Sequence, residues 1–340
     1  MSGGLAGGPA GTRTRGRRTP AGVSPRLGFL GVGWIGRDRL AAVVEAGLGT
    51  VVGIADREVS ALETALELVP GAVGVGSLDE LLELGVDGVV IATPSALHPE
   101  QVATALDAGC AVFCQKPLGR TEIEVRELVD HARRSDLLLG VDLSYRYTEG
   151  MRAVRELVQG GALGEVYAVE LVFHNAYGPD KPWFYDPALA GGGCMIDLGI
   201  HLIDLALWVL EGERVVGVAS ELLGDMVEDY AIAQLRLEGG AIVRLATSWR
   251  LPAGRDAVIE ASFYGSAGGA SFKNVGGSFY DFSAEVYEGT RRRLLVEPPD
   301  RWGGRAIGAW VEALARGAGY DPGIEVMVEV GRTLDRIYRR

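Results

Sequence analysis

Between residues 26 and 141 the chain alternates short β-rich apolar runs with stretches whose apolar residues recur at helical spacing. Residues 27–30, 51–55, 86–92, 111–113 and 137–141 read as strands, and 37–46, 60–68, 99–108 and 122–134 as helices. Repeated strand–helix alternation implies βαβ units, hence a parallel sheet with right-handed crossovers. Few other folds accept that order of elements.

Such a sheet does not use all 340 residues, and a chain of this length suits two domains. Past about Gly150 the rhythm changes. A helix at 151–159 and a strand at 166–173 lead into a loop containing Tyr177 and Pro187, and another helix begins near Gly193. Strand-like runs then follow in succession at 215–221, 231–237, 241–249, 258–264 and 284–287. Turns such as Glu238-Gly239-Gly240 suit antiparallel hairpins, and helices at 306–316 and 323–339 close the chain. Strands in a row with helices gathered elsewhere describe an α+β unit. The expected partition is 25–147 for the α/β part and 148–340 for the α+β part. Residues 1–24, rich in Gly, Pro, Thr and Arg with no acid before Asp38, read as a disordered tail.

Composition limits the partners. A net charge of −12 disfavours nucleic acid and acidic membrane surfaces, since a phosphate backbone selects cationic proteins. No apolar run is read as reaching the roughly 18 residues that span a bilayer. Cys110, Cys114 and Cys194 are too few for a disulfide framework and lack zinc-site spacing, so they read as small buried residues in a reducing compartment. Only three of the 33 basic residues are lysines (Lys116, Lys181 and Lys273), which draws attention to the amine at 116.

Gly31, Gly33 and Gly36 form a GxGxxG that follows a strand and opens a helix, with Asp56 at the end of the next strand. In that context the motif marks a Rossmann dinucleotide site. Gly31 permits the tight turn, Gly33 lets backbone approach a pyrophosphate, and Gly36 lets the helix pack close; Trp34 and Ile35 lie between them. Asp56 suits the ribose hydroxyls of NAD, whereas Arg57 beside it suits the 2′-phosphate of NADP; NAD is the preferred reading. Thr93-Pro94 with His98, and Gln115-Lys116-Pro117, stand at strand carboxyl ends on the same edge, where ligands of open sheets bind. His98 reads equally well as a loop-capping residue.

The segment from Gly191 to Asp204 holds Asp197 and His201 at i,i+4, on one helical face, with Asp204 a turn further along. Histidine exchanges protons near neutral pH, and an ammonium at Lys116 stabilises an alkoxide. Neighbouring glycines read as room for substrate or nicotinamide. The same spacing leaves a metal site or a structural Asp–His pair open.

Taken in order, these motifs resemble the glucose–fructose oxidoreductase/inositol dehydrogenase/MocA-like (Gfo/Idh/MocA) family over roughly residues 25–340, with one departure: Gln115 stands where the family usually has Glu. The resemblance implies a Rossmann domain followed by a mainly antiparallel open sheet covered by helices, whose outer face often makes oligomer contacts. It further implies hydride transfer at a hydroxyl or keto carbon of a sugar, sugar derivative or cyclitol. Lys116 and His201 would be the acid/base pair and Asp197 would position substrate. Tyr145, Arg146, Asn175, Lys181 and Trp183 would belong to the substrate loops. The expectation is a cytoplasmic homo-oligomeric dehydrogenase or reductase, dimer or tetramer, using NAD or NADP and no metal. A non-catalytic dinucleotide sensor, and a lyase or isomerase using the cofactor transiently, are the rival readings.

Overall fold

The computed structural model describes residues 24–340, so all but Ser24 of the expected tail lies outside the described residues. Six strands, β1 (Arg26–Leu30), β2 (Thr50–Ala55), β3 (Val73–Val75), β4 (Gly88–Ile91), β5 (Ala111–Cys114) and β6 (Leu139–Val141), pair in parallel in the order β3-β2-β1-β4-β5-β6. Five helices connect them: α1 (Trp34–Glu45), α2 (Val59–Leu68), α3 (Leu78–Glu83), α4 (His98–Asp107) and α5 (Glu122–Ser135). Central strands such as β4 are buried along their whole length, which is why they read as unbroken apolar runs. Strand order reverses between β1 and β4, and this opens a crevice at their carboxyl ends.

The sequence did not delineate β3 and α3. Helix α3 has only six residues, too few for a 3.6-residue period to show. Its start is nonetheless written in the chain: Ser77 accepts from the Glu80 amide at 3.2 Å, and the Glu80 carboxylate accepts from the Gly76 amide at 3.0 Å. Leu81 of this helix fills the space over Gly28, where a Cβ would approach it to 2.8 Å.

The rest of the chain builds α6 (Glu149–Gln159), β7 (Val166–Asn175), α7 (Pro187–Ala190), α8 (Ile200–Val209) and seven further strands. These are β8 (Val215–Gly224), β9 (Glu228–Leu237), β10 (Ile242–Ser248), β11 (Ala257–Gly265), β12 (Gly269–Asn274), β13 (Phe282–Glu288) and β14 (Arg291–Val296). They form one eight-stranded sheet in the order β14-β13-β12-β11-β7-β10-β9-β8, antiparallel except between β7 and β10. Alternation decides which face is covered: Ala231, Ala233, Leu235 and Leu237 of β9 are buried, while Ile232, Gln234 and Arg236 face outward.

The closing helices are α9 (Arg305–Ala315) and α10 (Val326–Tyr338). Helix α9 packs on the first sheet. Its Trp310 lies 5.7 Å from the Phe113 ring and covers Gly88 and Gly140, where a Cβ would meet the indole at 2.7 and 2.8 Å. The stretch Pro187–Val209 is apolar and long enough to cross a bilayer, contrary to expectation, yet 83% of an 18-residue window within it is buried: it contains α8, a core helix. All three cysteines are buried, and none is in a disulfide among the described residues.

Candidate active site

At the first turn Gly31 adopts φ +85°, and a Cβ there would meet the Ala92 backbone at 2.7 Å. A Cβ on Gly36 would collide with the Gly31 carbonyl, so only glycine lets α1 start so close to β1. Gly33 differs. Nothing lies within 4 Å of its Cβ position, and α1 begins there without a side-chain cap. Free amides beside open space are what a pyrophosphate requires. Asp56 accepts from the Val32 amide at 2.6 Å and the Glu58 amide at 2.9 Å, which fixes its carboxylate at the crevice rim beside Arg57. These residues fit a dinucleotide. Trp34 and Ile35 also line the crevice, Trp34 with 66% of its surface exposed.

The crevice and its continuation form one cavity of about 740 Å³, which extends to side chains of the second unit such as Lys181, Asp197 and His201. Thr93, Pro94, Gln115 and Lys116 line it from the β4 and β5 ends, and Asp197, His201, Tyr145, Lys181 and Trp183 from the other side. The Lys116 Nζ donates to Asp197 Oδ1 at 2.6 Å and to the Asp197 carbonyl at 2.8 Å. Trp249, fully buried, donates its indole N–H to Asp197 Oδ2 at 2.8 Å. Two of the three ammonium protons are thereby engaged and one is left for a ligand. Neither His201 ring nitrogen is hydrogen-bonded among the described residues; the ring packs edge-on to Tyr145 at 5.0 Å. Burial, with Lys116 and Arg39 nearby, holds His201 well below the usual histidine range, so the ring is neutral and can accept a proton. Burial raises the Tyr145 hydroxyl, followed by the nearby Asp197 charge, and keeps it a donor.

Five sequence expectations come out differently. His98 does not line the cavity: it is buried with Nδ1 2.7 Å from the Pro117 carbonyl and Nε2 2.8 Å from the Thr93 carbonyl, tying the two loops together. Arg146 turns away to chelate Asp204 through Nε at 2.7 Å and through its terminal nitrogen. Asp204 therefore does not join Asp197 and His201: it is 1% exposed within α8, its carboxylate is committed to Arg146, and it lies outside the cavity lining. Asn175 ends β7 outside the cavity lining. The glycines before the turn serve packing: a Cβ on Gly192 would strike the Tyr338 hydroxyl, and one on Gly193 the Glu228 backbone.

Sequence reasoning missed several residues that shape the site. Buried Glu228 accepts from the Gly193 and Met195 amides, each at 2.9 Å, and from the Tyr338 hydroxyl at 2.6 Å. Tyr338 in turn accepts from the Ile196 amide at 3.0 Å. Together they fix the start of the segment carrying Asp197. No local pattern identifies Trp249, Glu228 or Tyr338, since each acts on a residue 33 to 142 positions away.

His98 and His201 give a pH prediction. Burial lowers His98 more than its two carbonyl contacts raise it, and His201 is lowered as well. Below pH about 6.5 the unfolded chain binds protons that the native state refuses. Their contribution is therefore level above pH 7 and falls as pH drops below about 6.5, by up to about 1.4 kcal/mol per group per pH unit. Thermal unfolding across pH 5 to 8 should show this slope, shallower in His98→Gln. An equal slope in that variant removes His98 as a source.

Comparison with known proteins agrees with this architecture. Residues 26–143 match the oxidoreductase family, NAD-binding Rossmann fold, and residues 151–271 match the GFO/IDH/MocA C-terminal domain. The chain is 30% identical over 235 residues to the D-glucoside 3-dehydrogenase of Escherichia coli (strain K12), covering 64% of each chain, a little under two thirds of that relative's length. It is 32% identical over 228 residues to the 1,5-anhydro-D-fructose reductase of Ensifer adhaerens, covering 64% of this chain and 68% of the relative. Among solved structures, GenD2 from gentamicin A biosynthesis in complex with NAD superposes with a TM-score of 0.81 at 26% identity, covering 95% of both chains.

Proposed function

The chain belongs to the GFO/IDH/MocA oxidoreductase family, and from that premise we propose that it is an NAD(P)-dependent dehydrogenase or reductase of a sugar, sugar derivative or cyclitol. One observation carries this reading: Lys116, together with the Asp197/His201 pair that begins 81 positions later, lines the cavity into which the GxGxxG turn opens. The nicotinamide, when bound, supplies the hydride acceptor or donor.

The chain's own residues handle the proton. Neutral His201 takes the hydroxyl proton of the reacting carbinol. Lys116 turns its remaining N–H to the same oxygen and stabilises the alkoxide, a role that strengthens as charge develops. Asp197 holds the ammonium, and Trp249 holds Asp197. Tyr145, Trp183 and Phe184 offer apolar ring surface for the C–H face of a polyol.

Asp56 favours NAD, because its carboxylate would lie against a 2′-phosphate. Buried thiols without disulfides among the described residues support a reducing, cytoplasmic setting. We assign contacts between copies in a homo-oligomer to the outer face of the second sheet, where Leu223 and Ile232 are exposed.

A panel of neutral sugars, glycosides and inositols assayed with NAD and NADP tests the reading. Turnover with at least one member and preference for NAD is the expected result. Asp56→Ser should weaken NAD by about tenfold or more and narrow the preference. Tight dinucleotide binding with no turnover on any member would instead favour a sensor.

A further inference from the structure

Beneath Lys116 lies a buried polar cluster with no part in the mechanism above. Arg39 of α1, Gln115 at the end of β5, and Asp142 and Ser144 just past β6 are all less than 9% exposed, yet all four reach the cavity wall. Arg39 Nε donates to Asp142 Oδ2 at 2.5 Å and its terminal nitrogen donates to Ser144 at 3.0 Å. Ser144 donates to Asp142 Oδ1, and the Gln115 amide nitrogen donates to Asp142 Oδ2. The Asp142 amide donates to the Cys114 carbonyl at 2.9 Å, which fixes the backbone that carries this carboxylate.

A carboxylate only accepts, so it dictates which way the Gln115 amide turns. The NH2 must face Asp142. The carbonyl oxygen Oε1 is left with no hydrogen-bond partner among the described residues, on a side chain that lines the cavity. It sits one residue before Lys116, at the strand carboxyl edge, where it could accept from the carboxamide N–H2 or a ribose hydroxyl of a bound nicotinamide half.

We infer that Asp142, supported by Arg39 and Ser144, is a positioning residue that locks Gln115 as a neutral acceptor for the nicotinamide half of the cofactor. The negative charge that a glutamate would carry at 115 is moved to the end of β6 and compensated by Arg39. A glutamate at 115 would set two carboxylates against each other, which is costly in a buried site. The inference rests on the dinucleotide reading and names residues that reading does not use.

Calorimetric binding of NADH and of ADP tests it without any substrate, because ADP occupies only the Asp56 end. Asp142→Asn frees the Gln115 amide to rotate, and Gln115→Glu opposes Asp142. Each is expected to weaken NADH by about tenfold while ADP stays within about twofold. The double variant Gln115→Glu/Asp142→Asn restores one carboxylate beside one amide and should recover NADH binding to within about threefold of wild type. Unchanged NADH affinity in both single variants overturns the proposal. So does parallel weakening of NADH and ADP, the signature of a merely structural defect, or a double variant as weak as the singles. Wild-type protein that binds neither ligand overturns the dinucleotide reading itself, and this inference with it.

Discussion

Lys116→Ala is expected to lower turnover by about 10³-fold while leaving NADH affinity within a few-fold of wild type. The ammonium is the cation on the cavity wall nearest the Asp197 carboxylate, and two of its protons already point at that residue. Removing it deletes the donor for the developing alkoxide and leaves Asp197 held by Trp249 alone. Arginine is not an adequate substitute, since a planar guanidinium presents a different donor geometry. His201→Ala should cost about 10²-fold or more. With His201 intact, activity should persist below the ordinary histidine range, because the ring remains neutral there. Stopped-flow turnover beside NADH titration separates the two effects, and full turnover in Lys116→Ala removes the assigned chemistry.

Asp204→Ala should cost about 3–5 kcal/mol, or a fall of roughly 5–15 °C in Tm, without a direct effect on the reacting groups. Asp204 is 1% exposed and is gripped by Arg146, whose guanidinium also lies 5.9 Å from the Trp208 ring. Truncating the acid strands a positive charge between α8 and the turn after β6. Replacing both partners with apolar residues of similar volume, as in Arg146→Met/Asp204→Leu, should recover most of the loss. Calorimetric unfolding reads both variants. An Asp204→Ala protein as stable as wild type contradicts the buried pair. A raised KM for polyol in the stably folded double variant would return Arg146 to the substrate role that the sequence suggested.

The contrast between Lys116 and Arg146 shows how far a linear reading reaches. Lys116 stands at a strand carboxyl end within a parallel sheet, and the topology of such sheets fixes where that end lies. Gly31, Gly33, Gly36 and Asp56 are legible for the same reason, since their spacing follows from one strand, one turn and one helix. Arg146 sits equally near a strand end, yet which way its side chain turns depends on an acid 58 residues later. Asp197, His201 and Asp204 show the same limit within a single helix. Their spacing predicts a shared face, yet only Asp197 and His201 line the cavity, because Arg146, 58 residues before Asp204, takes that carboxylate.

Residue order by itself determined the α/β and α+β units, the dinucleotide turn and the short roster from which proton-handling groups are drawn, because these depend on periodicity and spacing within about 20 residues. Packing alone decided that α9 covers the first sheet, that Trp249 and Glu228 hold the Asp197 segment, and that Asp142 faces Gln115. Those contacts join elements distant along the chain, where a hydrogen bond or a buried charge is settled by which neighbour the fold brings within 3 Å.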